Sequence, residues 1–296
     1  MVQFISLILA SLLIGLSQST SAQVLFEGYS KVLSGGAHIG FSVSRYEFDT
    51  KKKQFISTYF LKTNEFGGGI SESLKATASE DMKPISYQYT TLLNNQVKTI
   101  DATFANNKIN AVLKDGNKIN KISKDLPKGT FLSTFLAYMM LRSSTGFKPE
   151  TRFEYQAIAE EDAEVLKGVA IVKPLEDWNG LKAFRVLNEF KNSKFLSYVT
   201  EKGEILSTKV PVSMISTELV SDPASATAGL QVPTATLRTL FGEVPKGQVN
   251  EVAVKKIVPS SSKVLEPGKQ QGIPGGKGLQ LKGQSPSDTN TPSTEK

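Results

Sequence analysis

Between Val24 and Val220 the chain alternates apolar and polar residues in short runs, and most runs stop at a turn signal. Phe55, Ser57, Tyr59 and Leu61 interleave with Ile56, Thr58, Phe60 and Lys62. Ile85, Tyr87 and Tyr89 oppose Ser86, Gln88 and Thr90; Ile100, Ala102 and Phe104 oppose Thr99, Asp101 and Thr103. Phe153, Tyr155 and Ala157 alternate in the same way with Arg152, Glu154 and Gln156. Successive side chains of a strand point to opposite faces, so a period of two marks sheet with one face buried and one wet. Asn94-Asn95, Asn106-Asn107, Asp115-Gly116, Asn179-Gly180 and Lys202-Gly203 separate these runs. Asn and Gly tolerate the positive φ of tight hairpin turns. Regular strands with short turns predict a meander that curls into a barrel or half-barrel.

One segment departs from this rhythm. Thr130 is a candidate cap for a helix through Phe131, Leu132, Phe135, Leu136, Tyr138, Met139 and Leu141. Its apolar residues almost encircle it, which predicts burial. The expected fold is therefore mainly β: a strongly curled antiparallel sheet, half-barrel or open barrel, around one buried hydrophobic helix.

The two ends read differently. Phe4 to Leu16 is apolar over thirteen residues, and the polar stretch after it ends in small residues at Thr20 and Ala22. That is the layout of a signal peptide at 1–22, with cleavage expected after Ala22. It is too short to span a hydrocarbon core of about 30 Å as a helix. The expected location is periplasmic or secreted. With no cysteine, no disulfide supports the fold, so a hydrophobic core formed by residues 23–222 must do so.

From residue 223 onward the chain has 8 of the 13 prolines and one aromatic, Phe241. Such a composition buries little apolar surface, so residues 223–296 are expected to be mostly disordered. Within them Leu237, Leu240, Phe241 and Val244 fall at one helical stripe, bracketed by Pro233 and Pro245. A short helix near 234–244 is thus a candidate docking motif, for the domain itself or for a partner groove.

Candidate chemistry is sparse. The single histidine, His38, would need Glu47, Asp49 or Glu72 brought to it by the fold before acting as a base or ligand. The acidic run Glu160-Glu161-Asp162-Ala163-Glu164 lacks the glycine and ligand spacing of a calcium loop and reads as a solvated turn. Gly67-Gly68-Gly69 precedes a strand pattern, whereas a phosphate loop opens a helix. Gly272 to Gly278 has no Ser or Thr after Lys277 and no adjoining strand. The net charge of +7 has one tight cluster in the domain, Lys51-Lys52-Lys53, in a turn, which does not make a nucleic-acid face. No catalytic residue, metal site or cofactor is expected.

Three stretches resemble a secreted bacterial family known only as a domain of unknown function, similar in shape to lipoprotein-sorting carriers. They are Gly36-Ala37-His38-Ile39-Gly40-Phe41, Asn179 to Val186, and Tyr198 to Ile205, where the family commonly carries Trp at the position of Tyr198. The resemblance implies an envelope protein with a β-half-barrel, able to hold a lipid-like or other apolar ligand against its concave face. The alternative is a periplasmic scaffold whose basic tail contacts an envelope protein or cell-wall polymer.

Overall fold

A computed structural model describes residues 22–257 of the chain. Fifteen strands form one sheet. The first eight are β1 (Ala22–Ser34), β2 (Ala37–Asp49), β3 (Gln54–Thr63), β4 (Ser71–Ser79), β5 (Pro84–Leu93), β6 (Gln96–Ala105), β7 (Lys108–Asp115) and β8 (Lys118–Asp125). Each pairs antiparallel with the next, as a meander must. The remainder are β9 (Phe131–Leu132), β10 (Arg152–Ala159), β11 (Glu164–Trp178), β12 (Leu181–Phe190), β13 (Ser193–Val199), β14 (Ile205–Val210) and β15 (Ile215–Val220). β15 pairs with β1, so β1 sits mid-sheet and joins two wings that end at β8 and β9. The two edges do not pair with each other, and the sheet is open.

The turns follow from residue type. Asn94 and Asn95 have φ of 51° and 62°, and Asn106 and Asn107 of 52° and 56°. Positive φ at both central positions gives the turn whose twist matches the flanking strands. Asn179-Gly180 closes β11 onto β12 likewise. Next to Asp115 the loop lies one residue later than expected, at Gly116-Asn117, because Asp115 still pairs with Lys118.

The helix is shorter than its apolar pattern predicts. Phe131 and Leu132 are extended, pairing parallel with Ala157 and Ile158 of β10. Thr130 does not cap; its hydroxyl donates to the Pro127 carbonyl at 2.8 Å. A 3-10 turn over Ser133–Phe135 leads into α1 (Leu136–Arg142). The exposed edge of β10 offers backbone partners that outweigh local helix preference for those two residues. α1 is a wedge between the wings. Phe135 and Tyr138 join Phe55, Leu74, Tyr87 and Ile100 in one core, while Met140 joins Val172, Phe184 and Val199 in another. Leu132, Ile158 and Ala163 of the second wing also enter the first core, so side chains close what strand pairing leaves open.

The largest difference lies after β15. Residues 223–257 are not disordered: they form α2 (Pro223–Thr227), α3 (Thr234–Phe241) and α4 (Glu251–Ile257). The compact unit does not stop near 222 but takes in all three helices. Ala226, Leu237 and Phe241 are buried on Tyr29, Phe41, Val43 and Phe60, the outer face of β1–β3. Apolar residues here are few, but they converge on one aromatic stripe, and a composition average does not register that. The expected signal peptide (all but Ala22) and the Gly272–Gly278 run lie outside the described residues. Ala22 itself pairs with Asp49 at the start of β1.

Candidate functional site

Strand alternation divides the centre of the sheet into two chemistries. On β2, Phe41, Val43 and Arg45 face the C-terminal helices, whereas Ser42, Ser44 and Tyr46 face inward. On β1, Glu27 and Tyr29 point outward, and Phe26, Gly28 and Ser30 inward. The inner floor carries a belt of hydroxyls that crosses strands in register. Ser197, Thr208 and Thr217 are successive partners on β13, β14 and β15; Ser30 and Ser42 are partners on β1 and β2. The Ser197 and Thr208 hydroxyls are 2.9 Å apart.

α1 roofs this floor. Between them lies a cavity of about 480 Å³, walled by tyrosines 46, 59, 89, 138 and 155 and by Leu74, Met140, Phe147, Val186 and Phe195. Its size falls within the range of small-molecule sites, roughly 300–1,000 Å³. A shallower hollow of about 790 Å³ lies on the opposite face of β4–β8 and is edged by Lys75, Gln88, Asp101, Asn110 and Lys121. Tyr87 is the one aromatic in its lining, and every lining residue belongs to β4–β8, so it has no roof.

The roof is held by a buried carboxyl. Glu160 accepts hydrogen bonds from Ser133 Oγ at 2.6 Å and Thr134 N at 3.1 Å. Tyr46 Oη donates to Thr134 O at 2.9 Å, and the hydroxyls of Ser57 and Thr134 meet at 2.9 Å. Burial pushes the Glu160 carboxyl up to about 7, against the hydrogen bonds that favour its ionised form. Glu72 lies on β4 near Tyr89 of β5, and burial followed by the like charge of Glu161 raises it to about 7 as well. Burial also raises the hydroxyls of Tyr46, Tyr59, Tyr89 and Tyr138.

The residues singled out from sequence do not assemble into a catalytic group. His38 Nε2 lies 2.9 Å from the carbonyl of Gly40 on its own strand. Asp49 sits at the other end of that strand, where it accepts the amides of Lys51 and Lys52 at 3.0 Å each. Glu47 shares the outer face with Arg45, and Glu72 lines the cavity. The acidic run is a turn, but not a wholly solvated one, since Glu160 is buried beneath the roof. Glu161 and Asp162 pair with Lys191, and Lys98 lies 3.6 Å from Asp162. Among the described residues no three His, Asp or Glu side chains could hold a metal ion. Gly67–Gly69 form a corner between β3 and β4, with Gly68 at φ 83°. Leu237, Leu240, Phe241 and Val244 pack against the outer face of the sheet rather than the cavity.

Sequence reasoning missed Glu160 and the hydroxyl belt. The belt left a trace: Ser42 and Ser44 alternate with Phe41 and Val43, an inversion in which both faces of one strand are covered. Among the described residues no helix is long and apolar enough to cross a membrane.

Fold and cavity define the class: an open, barrel-like β-sheet protein with a helix-roofed internal cavity. No family model matches the sequence, and no curated protein does. Among solved structures the chain is similar to a beta-barrel-like protein of domain of unknown function DUF1849 from Brucella abortus. That similarity has 11% identity and a TM-score of 0.45, covering 67% of this chain and 98% of the other. A DUF1089 family protein from Pseudomonas aeruginosa shows 15% identity and a TM-score of 0.34, covering 58% of this chain and 90% of its own.

Proposed function

We propose that this is a non-catalytic, exported envelope protein that carries a small amphiphilic ligand, with an apolar body, in the cavity between α1 and the sheet floor. The observation supporting this reading is the cavity of about 480 Å³, aromatic along its walls and hydroxylated along its floor. Apolar walls with a few convergent polar groups suit an amphiphile better than a simple hydrocarbon. The scaffold alternative calls for a filled interior, and the open volume speaks against it. Export rests on residues 1–22 and predicts Gln23 as the mature N-terminus.

Native mass spectrometry of protein purified from the cell envelope tests the reading. A one-to-one adduct that exchanges with added amphiphile is expected. Protein that stays ligand-free in every preparation, and takes up no added amphiphile, rules the carrier role out.

A further inference from the structure

The cavity is one-sided in charge. Its lining includes Glu72, Glu160, Glu161 and Glu204, and no Lys, Arg or His. Three of these carboxylates have polar or basic partners of their own. Glu160 accepts from Ser133 and Thr134, Glu161 pairs with Lys191 at 2.8 Å, and Glu204 accepts the amide of Glu251 at 3.0 Å. Glu72 differs. Among the described residues its carboxyl makes no ion pair; Tyr89 stands near it on the neighbouring strand, and Glu161 adds like charge.

A carboxylate drawn partly out of water, next to another, gains most from an added cation. An anionic head group would bring further negative charge into a lining with no base to receive it. The floor fits the same sign. An ammonium offers three donors and needs only acceptors. Tyr59, next to Ser42 on the inner face, stands within reach of the Glu72 charge, and the Ser and Thr oxygens of the belt extend the acceptor surface from there.

We infer that the cavity selects a basic amphiphile, an apolar body ending in a protonated amine, and that Glu72 receives the ammonium. This rests on the carrier role proposed for the same cavity. The uncharged hydroxyl belt contacts the first atoms of the apolar body, and the tyrosine walls enclose the rest.

The test uses the purified full chain, titrated calorimetrically with dodecylamine, dodecanol and dodecanoate, each below its micelle-forming concentration. The amine is expected to bind about tenfold more tightly than the alcohol, the difference one charge-assisted hydrogen bond supplies, with dodecanoate weakest. Glu72→Gln should erase the advantage of the amine over the alcohol, while Glu72→Asp retains part of it. Equal binding of amine and alcohol, or preference for dodecanoate, overturns the inference while leaving the carrier role standing. An amine preference that survives in Glu72→Gln overturns the role of Glu72. Failure of all three ligands to bind removes the carrier role and this inference together. If the variants do not fold, the comparison on the unaltered chain still decides the charge preference.

Discussion

Arg45 and Glu27 are paired on adjacent strands at the middle of the outer sheet face, with side chains only 5% and 6% exposed. Arg45 Nε donates to Glu27 Oε2 at 2.7 Å, and Nη1 reaches the Phe241 carbonyl at 2.8 Å. The other Glu27 oxygen accepts the amides of Lys246 and Gly247, each at 2.7 Å. One buried ion pair therefore holds two separate points of the C-terminal segment onto β1 and β2.

Removing one partner strands the other charge away from water. Arg45→Ala should cost about 3–5 kcal/mol in urea unfolding, and Arg45→Met combined with Glu27→Met should recover only part of that, because the Phe241 carbonyl and the Lys246 and Gly247 amides lose their partners. Limited proteolysis of Arg45→Ala should cut first between Pro223 and Ile257. A cost below about 1 kcal/mol would mean that packing alone holds the segment.

Leu237 is fully buried beneath α3 against the aromatic stripe. Leu237→Ala should destabilise by about 3 kcal/mol, the loss expected for a large core side chain. Leu240→Ala, at a partly buried position in the same cluster, should cost clearly less. Equal, small effects in chemical denaturation would contradict the packing described for this helix.

The interior glutamates give stability a definite pH dependence. Glu160 and Glu72 are raised to about 7 from 4.5, so the unfolded chain releases these protons first. An acid whose folded value is raised leaves the native state holding more protons, so stability falls as pH rises. The fall is expected between about pH 4.5 and about pH 7, amounting to a few kcal/mol, with a plateau above. Glu204 and Glu47 shift in the same direction. Melting temperatures measured across this range check the sign, and Glu160→Gln should flatten part of the slope. A protein more stable at about pH 8 than at about pH 5 would refute the assignment.

Gly168 lies directly opposite Tyr155, whose ring covers it; an added Cβ would fall 2.3 Å from the ring. Tyr155 lines the cavity and donates to Asn188 Oδ1 at 2.7 Å. Gly168→Ala must therefore displace the ring and break that bond, at about 1–3 kcal/mol. Near-ultraviolet circular dichroism should report the moved tyrosine. Ligand content should fall in the same variant, while Gly116→Ala, in a hairpin turn with nothing near its Cβ position, should leave it unchanged.

Much of the fold is legible along the chain because its causes are local. Ile100, Ala102 and Phe104 face the core as their alternation predicts, and the Asn94-Asn95 and Asn106-Asn107 turns arise from φ values those residues accept. The α1 region reads less well, since Phe131 and Leu132 have a helical pattern yet meet a strand edge distant in sequence. The candidate site is harder still. Glu160 looks like one member of a solvated acidic run, and only contact with Ser133 and Thr134 makes it the joint of the roof.

Residue order alone determined a cysteine-free series of hairpins with a buried apolar segment and two compositionally distinct ends. Alternation and turn preference act over a few residues, and no distant contact is needed to express them. Tertiary structure decided what covers each face. It seated α2 and α3 on one side of the sheet, left a roofed hollow on the other, and set Glu72 in that hollow without a base. Burial depends on neighbours far away in the chain, so neither the ordered C-terminal helices nor the charge of the cavity could be read from local pattern.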